Sequence, residues 1–342
     1  MNSFKNRLVL ILVVSFLLLL TACSSDDSKD IDVIEEFAGS GGPGDFYRVT
    51  LNMTDKEYSY ENLTTGSNTG SGEFEAVSSS GDSGIFRLDT GDIFVKLQDE
   101  IIVVADSTSE PGERITVALK ETNNAYNDDI TGTYNLVTSM EGAVGQAVID
   151  GSTKTADIYL DMNGDGDYED AEEQLKDLDY TFNDNYKAIE LIEGTSFKHY
   201  GVFINNTISV WDSYYWNGSD WQGDGMALML KQPETVNLAD YVGQYNYIDV
   251  DGYSGSFSLT DVGTSEVELK LSVDGENVEV TITQANVDDQ GIINFSADFV
   301  EPFGTTENWS LMVLPNKAMI ISSTDPNAFS GDGGLAVAVK KQ

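Results

Sequence analysis

The feature that most limits how this chain can fold is an internal repeat far longer than one supersecondary unit. The segment 129–135, Asp-Ile-Thr-Gly-Thr-Tyr-Asn, returns as the segment 240–246, Asp-Tyr-Val-Gly-Gln-Tyr-Asn. The same offset relates Lys120 to Lys231, each of which ends an apolar segment, and Lys340 ends a third such segment at nearly the same interval. Each copy is therefore expected to be a small domain.

Within these copies the pattern is that of β-strands. Between Glu266 and Thr283, apolar and polar residues alternate on both sides of an Asp274-Gly275 turn, which predicts a β-hairpin with one buried face. Shorter apolar runs, separated by Gly, Asn, Asp and Ser, recur at a spacing typical of sandwiches and barrels. These runs lie at 86–88, 93–97, 101–104, 115–119, 156–160, 207–211 and 336–339.

The sequence therefore predicts an all-β fold, with repeated small antiparallel β-barrel or sandwich domains. Two full copies are expected at 121–231 and 232–342. The segment 45–120 shares the closing strand but lacks the Gly-x-Tyr-Asn opening, so it is either a truncated copy or an unrelated β domain. The Gly-x-aromatic opening and the expected strand number resemble the calycin-like barrels, although these two features do not separate a barrel from a sandwich.

Residues 1–22 have the three parts of a signal peptide. Lys5 and Arg7 supply positive charge, residues 8–20 form an apolar run, and Leu20-Thr21-Ala22-Cys23 closes the segment. The last four residues resemble the lipobox of bacterial lipoproteins, which implies that the thiol of Cys23 is acylated and anchors the chain to a membrane. The other interpretation is a cleaved secretory peptide with an incidental cysteine.

Residues 23–44 are rich in Ser, Asp and Gly and are expected to form a disordered tether. Ser24 follows the cysteine, and in the lipoproteins of Gram-negative bacteria a serine there implies sorting to the outer membrane. The acidic residues after it resemble a tag for export to the outer leaflet, and they equally fit a solvated spacer. Both a surface-exposed and a periplasmic-facing body stay open.

The formal net charge of the chain is −40, and removal of residues 1–22 deletes Lys5 and Arg7 but no acidic residue, so the mature charge is −40 − 2 = −42. Such a charge repels nucleic acid and anionic headgroups and attracts divalent cations. An acidic bias shared by all proteins of a salt-adapted organism would explain the charge without any ligand. A role in binding DNA or RNA is excluded.

The segment 161–172 resembles the calcium-binding loop of an EF-hand. Oxygen-bearing side chains occupy its first, third and fifth positions, Gly166 stands at the sharp turn, and a glutamate closes it. An apolar β run precedes the loop and a short helix at 171–178 could follow, as in the structural calcium sites of extracellular proteins. The alternative is a solvated acidic turn. The expected Ca²⁺ ligands are Asp161, Asn163, Asp165, Asp167, Glu169 and Glu172.

A concentration of aromatic residues between 211 and 221 is the second candidate site. Such rings can stack on a sugar, and they can equally fill a β core. His199 is the only histidine, so serine, cysteine or histidine–metal catalysis of the usual kinds is not expected. The aromatic residues are Trp211, Tyr214, Tyr215, Trp216 and Trp221.

These observations predict a non-catalytic, lipid-anchored outer-membrane or cell-surface protein. Its calcium-stabilised β repeats are expected to serve binding, adhesion or envelope structure. The expected partners are the membrane, through the lipid on Cys23, and a glycan or another envelope protein. The alternative function is a glycan-binding accessory protein or a glycan hydrolase of the cell surface.

Overall fold

The computed structural model describes residues 32–66, 69–80, 83–97, 100–105, 114–121, 130–139, 142–161, 174–263, 266–273, 276–299, 305–314, 317–325 and 334–341. Within these ranges the chain forms three successive antiparallel sheets of eight strands. The predicted all-β class is confirmed. The predicted signal peptide and Cys23 lie outside the described residues. In the part of the chain that is described, no helix is long and apolar enough to cross a bilayer.

The first barrel contains eight strands in sequential order and closes because β1 pairs with both β2 and β8. Its strands are β1 (Ile34–Gly41), β2 (Phe46–Asn52), β3 (Glu57–Asn62), β4 (Thr69–Ser80), β5 (Ser83–Leu88), β6 (Ile93–Leu97), β7 (Ile101–Ala105) and β8 (Ile115–Lys120).

The second barrel repeats this topology and closes because β9 pairs with both β10 and β16. Its strands are β9 (Gly132–Thr138), β10 (Val144–Asp150), β11 (Thr155–Leu160), β12 (Gln174–Asn183), β13 (Ala188–Glu193), β14 (Phe197–Ile204), β15 (Ile208–Trp216) and β16 (Trp221–Lys231).

The third sheet has the same strand order, with β17 paired to β24, but β20 and β21 are its two edges. A short 3-10 helix, Leu238–Tyr241, precedes it, and another, Gln284–Asn286, connects the two edges. Its strands are β17 (Gly243–Asp249), β18 (Ser254–Gly263), β19 (Glu266–Val273), β20 (Glu276–Thr283), β21 (Ile293–Phe299), β22 (Thr305–Leu314), β23 (Ala318–Ser323) and β24 (Gly334–Lys340).

The tyrosine of the repeated Gly-x-Tyr-Asn motif closes one end of its sheet. Tyr134 and Tyr245 are buried, and their hydroxyls donate to the carbonyl oxygens of Ile130 (2.8 Å) and Tyr241 (2.7 Å), four residues earlier in each copy. A buried phenol needs such a partner, because an unsatisfied hydroxyl would cost folding free energy. The motif therefore repeats because each copy uses the same hydrogen bond.

The glycine of this motif lies beneath the lysine that ends the last strand of the same copy. A Cβ added to Gly243 would stand 2.5 Å from Cε of Lys340, and a Cβ added to Gly132 would stand 3.2 Å from Cε of Lys231. A side chain at either glycine would therefore displace the end of that lysine side chain. The two sequence signals of the repeat, the opening motif and the closing lysine, are thus one structural contact.

The predicted tether at 23–44 is too long, because Ile34–Gly41 is strand β1. Phe37 is buried and pairs in register with Lys120, as the motif tyrosines pair with the closing lysines of the other copies. Gly39 serves close packing, since a Cβ there would lie 2.0 Å from the carbonyl oxygen of Val117. The segment 45–120 therefore becomes an eight-stranded barrel only together with β1.

The predicted hairpin between Glu266 and Thr283 is confirmed as β19 and β20, and the seven shorter runs lie in strands. The short helix expected at 171–178 is wrong in its described part, because Gln174–Asn183 is β12 and pairs with β11 and β13. A helix there would leave the facing backbone groups of both neighbours without their ladder partners.

Each sheet encloses its own apolar core, and a fourth cluster lies between the three sheets. Among the described residues, this shared core contains ten side chains of the first barrel, eleven of the second barrel and ten of the third sheet. Along β24, Leu335, Val337 and Val339 face the shared core, whereas Ala338 faces the interior of its own sheet. Both faces of such a strand are therefore buried.

Polar contacts also join each pair of sheets beside the shared core. The Tyr214 hydroxyl of the second barrel accepts from the backbone N–H of Phe46 in the first at 2.7 Å. The backbone N–H of Arg114 donates to the carbonyl oxygen of Val250 at 2.7 Å, and Asn135 Nδ2 donates to the carbonyl oxygen of Gln290 at 3.0 Å. The apolar contact and these hydrogen bonds together set how the sheets pack.

We expect the shared core to make the three sheets unfold together. All four tryptophans lie in the second barrel and the third sheet, so tryptophan fluorescence reports on these two alone. Ile101→Ala removes a fully buried side chain that the first barrel contributes to the shared core. The substitution should lower the free energy of unfolding, measured by tryptophan fluorescence in denaturant, by roughly 2–4 kcal/mol.

Ile34→Ala is the matched control, because Ile34 is in the same barrel but 59% exposed. It should change the unfolding free energy by less than about 0.5 kcal/mol. A tryptophan-detected midpoint that Ile101→Ala leaves unchanged would show that the first barrel unfolds independently.

Candidate ligand cavity in the second barrel

The predicted calcium loop is described only at its first residue. Asp161 directly follows β11, and its backbone N–H donates to the carbonyl oxygen of Val144 at 3.0 Å, which holds the start of the loop against β10. The other predicted ligands, Asn163, Asp165, Asp167, Glu169 and Glu172, lie outside the described residues.

The five predicted aromatic site residues occupy three different environments. Tyr214 is buried between the first and second barrels. Tyr215, Trp216 and Trp221 lie near the tip of the β15–β16 hairpin, where Trp216 is 41% exposed. Trp211 is buried inside the second barrel. The structure therefore does not gather the five rings into one surface.

The indole ring of Trp211 fits inside the barrel because the residue that it faces on the neighbouring strand is a glycine. A Cβ added to Gly201, its cross-strand partner in β14, would lie 2.3 Å from Cε2 of the indole. On its other side, Trp211 meets Phe203 edge-on, with ring centroids 5.8 Å apart, and Phe203 in turn meets Tyr134 at 5.6 Å. These rings fill the end of the barrel where β9 begins.

Above these rings the second barrel contains a cavity of about 320 Å³. This volume falls within the range of small-molecule sites, which are mostly apolar with few polar groups. The apolar part of the wall comes from β9 to β13 and β16, and includes Leu136, Ile149, Ile158, Leu160, Leu191 and Met229.

The cavity exists because this copy carries small residues where the third sheet carries large ones. Ala147 pairs with Tyr134 in the second barrel, and Phe257 pairs with Tyr245 in the third sheet. Phe257 stacks on Tyr245 with ring centroids 5.1 Å apart and thereby fills its interior. At the same register position, the methyl group of Ala147 leaves that volume open.

A second pair of equivalent positions enlarges the difference. Ala156 pairs with Ile149 on the cavity wall, and Leu269 pairs with Leu259 at the same level of the third sheet. The first barrel is filled in another way, by three mutually packed phenylalanine rings with centroids 4.8 to 5.7 Å apart. The second barrel has the same strand order as its two neighbours but lacks the side-chain volume that fills their interiors.

The cavity lies toward the end of the barrel that carries the β11–β12 connection. Leu160 and Leu175 both line the cavity, and they flank the segment that begins with Asp161. Gly225 of β16 also lines the cavity. It lies two positions before Ala227, which pairs with Thr138 at the end of β9. The predicted calcium loop therefore starts next to the cavity wall.

His199 is the one imidazole of the chain, and it lines this cavity. Burial lowers its pKa to about 4, and a hydrogen bond to the backbone of Asp212 opposes this shift. Its Nε2 is buried and has no hydrogen-bond partner in the described part of the chain, so we assign the donor to Nδ1. The imidazole is therefore neutral at neutral pH, with Nε2 as an acceptor.

Asp212 lies opposite a β-bulge of β16, where the register of β15 and β16 shifts between Asp212 and Tyr214. On its other side the pairing of β14 with β15 is missing between Lys198 and Gly201, and Oδ1 of Asp212 accepts a hydrogen bond from the backbone N–H of Tyr200. Burial raises the pKa of this carboxyl well above its usual range. A buried carboxyl, whose charged form burial disfavours, therefore lies close to the imidazole.

The sequence singles out Trp211 as either a sugar-stacking ring or a ring of the β core, and the structure places it in the core, but the sequence does not indicate the role of the alanines or the inward orientation of His199. One signal was available. The segments Gly145-Gln146-Ala147 and Gly255-Ser256-Phe257 occupy equivalent strands, and their last residues differ in size. The strand register is needed to recognise that they are equivalent.

The sequence matches no protein-family model and no curated protein. Among solved structures, the chain is similar to the isotype 1 transferrin binding protein B of serogroup B Neisseria meningitidis, with 13% identity and a TM-score of 0.26; the match covers 87% of this chain and 66% of that one. A double mutant of transferrin binding protein B from Haemophilus parasuis Hp5 has 8% identity, a TM-score of 0.26 and coverages of 90% and 76%. Intact Ap-TbpB, with its N and C lobes, has 8% identity, a TM-score of 0.23 and coverages of 91% and 77%. At these TM-scores we take nothing about function from the likeness.

Proposed function

We propose that this chain is a lipid-tethered, non-catalytic binding protein whose second barrel holds a small apolar molecule. The observation that carries the proposal is the cavity of about 320 Å³, bounded by apolar side chains. Its opening results from Ala147 and Ala156, which stand where the equivalent sheet has Phe257 and Leu269. Apolar surface on a ligand would gain free energy by leaving water for such a cavity.

The groups around the cavity favour binding over chemistry. Of the side chains that line it in the described chain, His199 and Asp212 are the titratable ones. His199 bonds to the backbone of Asp212, and the carboxyl of Asp212 is used by Tyr200, so the two do not form an acid–base pair. A general base must reach the substrate in a matched protonation state, and this arrangement supplies none.

The tether follows from the lipobox-like segment that ends at Cys23. An acylated thiol there would attach the body to a membrane through a short spacer, because the first strand begins at Ile34. Ser24 supports the outer membrane as the location. The body would then meet its ligand close to a lipid surface, either in the periplasm or outside the cell.

We further propose that the segment Asp161 to Glu172 binds Ca²⁺. The support is the spacing of its oxygen-bearing side chains and the anchoring of Asp161 to β10. Without a cation the carboxylates of the loop repel each other, and a cation that binds only the folded state raises its stability. Since Leu160 and Leu175 flank the loop and line the cavity, calcium would also stabilise the cavity wall.

Glycan binding by the hairpin rings is the weaker alternative. Trp216 and Trp221 are tilted by 58° with centroids 5.6 Å apart, so they do not present one flat face. Nζ of Lys198 lies 4.3 Å from the ring centroid of Trp221 and covers part of that ring. A sugar would have to stack mainly on Trp216, and a single exposed ring supports only weak recognition.

Filling the cavity should abolish binding of an apolar probe. In Ala147→Phe the new ring should occupy the open volume, as Phe257 does in the third sheet, and the affinity for N-phenyl-1-naphthylamine should fall by more than roughly tenfold. The probe is titrated by fluorescence into the soluble form, residues 23–342 with Cys23→Ser, which keeps every residue that the structure describes.

Ala156→Leu is the companion variant, with a smaller added volume, and it carries the test if Ala147→Phe does not fold. Val262→Phe is the control, because Val262 is 49% exposed on the third sheet and adds an aromatic ring away from the cavity. Equal probe affinity in the parent and in a folded cavity variant would place the probe elsewhere and refute the proposal.

Calcium should stabilise the parent protein but not a loop variant. For a dissociation constant on the order of 10⁻⁴–10⁻³ M, about 5 mM CaCl₂ should raise the unfolding free energy by roughly 1–2 kcal/mol relative to chelator. This increase should vanish in Asp165→Asn/Glu172→Gln, as measured by thermal melting with and without the ion.

The control for calcium is Asp184→Asn/Glu57→Gln, which removes two exposed carboxylates outside the loop. It should keep the full increase in unfolding free energy on addition of calcium. If calcium acted only by screening negative charge, both double variants would lose the same part of this increase. Identical calcium responses in the two variants would rule out a specific site in the loop.

Cys23→Ser should release the full-length chain from membranes, because the proposed anchor is a lipid on that thiol. The measurement is the distribution between membrane and soluble fractions after expression with the signal segment intact. Ser24→Ala keeps the thiol and should stay with the membranes. Retention of Cys23→Ser in the membrane fraction would exclude the lipid as the anchor.

A further inference from the structure

Two side chains that line the cavity of the second barrel carry buried nitrogen atoms that the surrounding described residues leave without a partner. Nε1 of Trp211 and Nε2 of His199 both belong to cavity-lining residues, and neither has a hydrogen-bond partner among the described residues. Buried polar atoms are nearly always hydrogen-bonded, because an unmade bond costs folding free energy. Oδ2 of Asp212 is a third buried atom of a lining residue without a partner in the described part of the chain, and a chamber whose wall keeps such atoms is suited to a ligand that completes them.

The two atoms have opposite hydrogen-bonding roles. The indole N–H of Trp211 can only donate. The Nε2 of His199 is an acceptor, because the imidazole is neutral and uses its other nitrogen to donate to the backbone of Asp212. A group that satisfies both must accept one hydrogen bond and donate another, and a hydroxyl does this with a single oxygen atom.

The lining also selects against charge. No lysine or arginine is among the described residues that line the cavity, so a buried anion would have no counter-ion there. The acidic surface further disfavours the entry of anions. A buried cation would need an ionised carboxylate, whereas Asp212 is engaged by the backbone N–H of Tyr200 and burial raises its pKa. The chemistry that fits is uncharged.

We propose, on the basis of the ligand-binding function above, that the second barrel binds an uncharged apolar molecule that carries a hydroxyl group. The hydroxyl oxygen accepts from Trp211 Nε1, and the hydroxyl proton is donated to His199 Nε2. The remainder of the molecule lies against the apolar wall around Ala147 and Ala156.

The test uses four probes of nearly equal shape: 2-naphthol, naphthalene, 2-naphthoate and naphthalen-2-ylmethylammonium. Each displaces N-phenyl-1-naphthylamine from the soluble Cys23→Ser form, and the midpoints give relative affinities. Because a neutral hydrogen bond has a modest net effect, 2-naphthol should bind roughly three- to tenfold tighter than naphthalene. Both ions should bind more weakly than naphthalene.

Two variants assign the preference to the two nitrogen atoms. His199→Leu removes the acceptor and Trp211→Phe removes the donor, and each should bring the ratio of the 2-naphthol and naphthalene affinities close to one. The affinity for naphthalene itself should change less than this ratio. Trp309→Phe is the matched control, since it makes the same change in the third sheet, and its ratio should equal that of the parent.

Failure of this inference is distinct from failure of the binding function. If naphthalene and the fluorescent probe bind but 2-naphthol has no advantage, the two nitrogens are satisfied by retained water and the hydroxyl assignment is wrong. Tighter binding of either ion than of 2-naphthol would also overturn it. If no probe binds to the parent, the binding function itself is refuted. A folded His199→Leu protein that keeps the full preference would exclude the imidazole.

Discussion

Burial of both faces of the strands between the three sheets is the constraint on which the remaining architecture depends. In β8, Val117 and Leu119 face the shared core while Ala118 faces the interior of the first barrel. The ordinary antiparallel pattern, with one wet face, does not apply to such strands. In β8 and β24 the larger residues point outward to the neighbouring sheets and an alanine points inward. Each sheet is consequently shaped by its neighbours as well as by its own interior, and the hydrogen bonds between Phe46 and Tyr214 and between Arg114 and Val250 fix the packing.

Much of the strand content could be predicted, because alternation is a local property of the sequence. The hairpin of β19 and β20 exposes one face and was found at its true boundaries. Strand β1 was missed, since Gly39, Ser40 and Gly41 have the composition of a linker, and the need for a glycine arises only from the approach of Val117. Strand β12 was partly taken for a helix, because its polar residues do not alternate cleanly and its pairing with β11 shifts register between Ala156 and Ile158. Contacts remote in sequence decided both segments.

The candidate site was harder to predict, for a related reason. The offset that places Tyr134 on Tyr245 would also place Ala147 on Ser258, two small residues that suggest no difference between the copies. The strand pairing shows that the true equivalent is Phe257, because irregular connections change the offset by one. A shift of one residue in a strand exchanges its two faces. Alternation also separates the aromatic cluster, since Trp211 and Tyr214 are three positions apart in β15, which leaves Trp211 inside the barrel and places Tyr214 in the interface. Composition revealed the aromatic residues, and register determined what they contact.

The shared core also explains how one copy can remain hollow. An unfilled volume destabilises a protein by roughly 20–25 cal/mol per Å³, so a cavity of about 320 Å³ would cost an isolated eight-stranded barrel several kcal/mol. In this chain the outer face of the second barrel contributes eleven described side chains to a core that it shares with two filled sheets. Their burial offsets the missing interior contacts without placing any side chain inside the cavity. The filled copies can therefore supply stability while the second copy keeps Trp211 and His199 on the wall of an open interior. A molecule that enters returns part of the packing that Ala147 and Ala156 leave out.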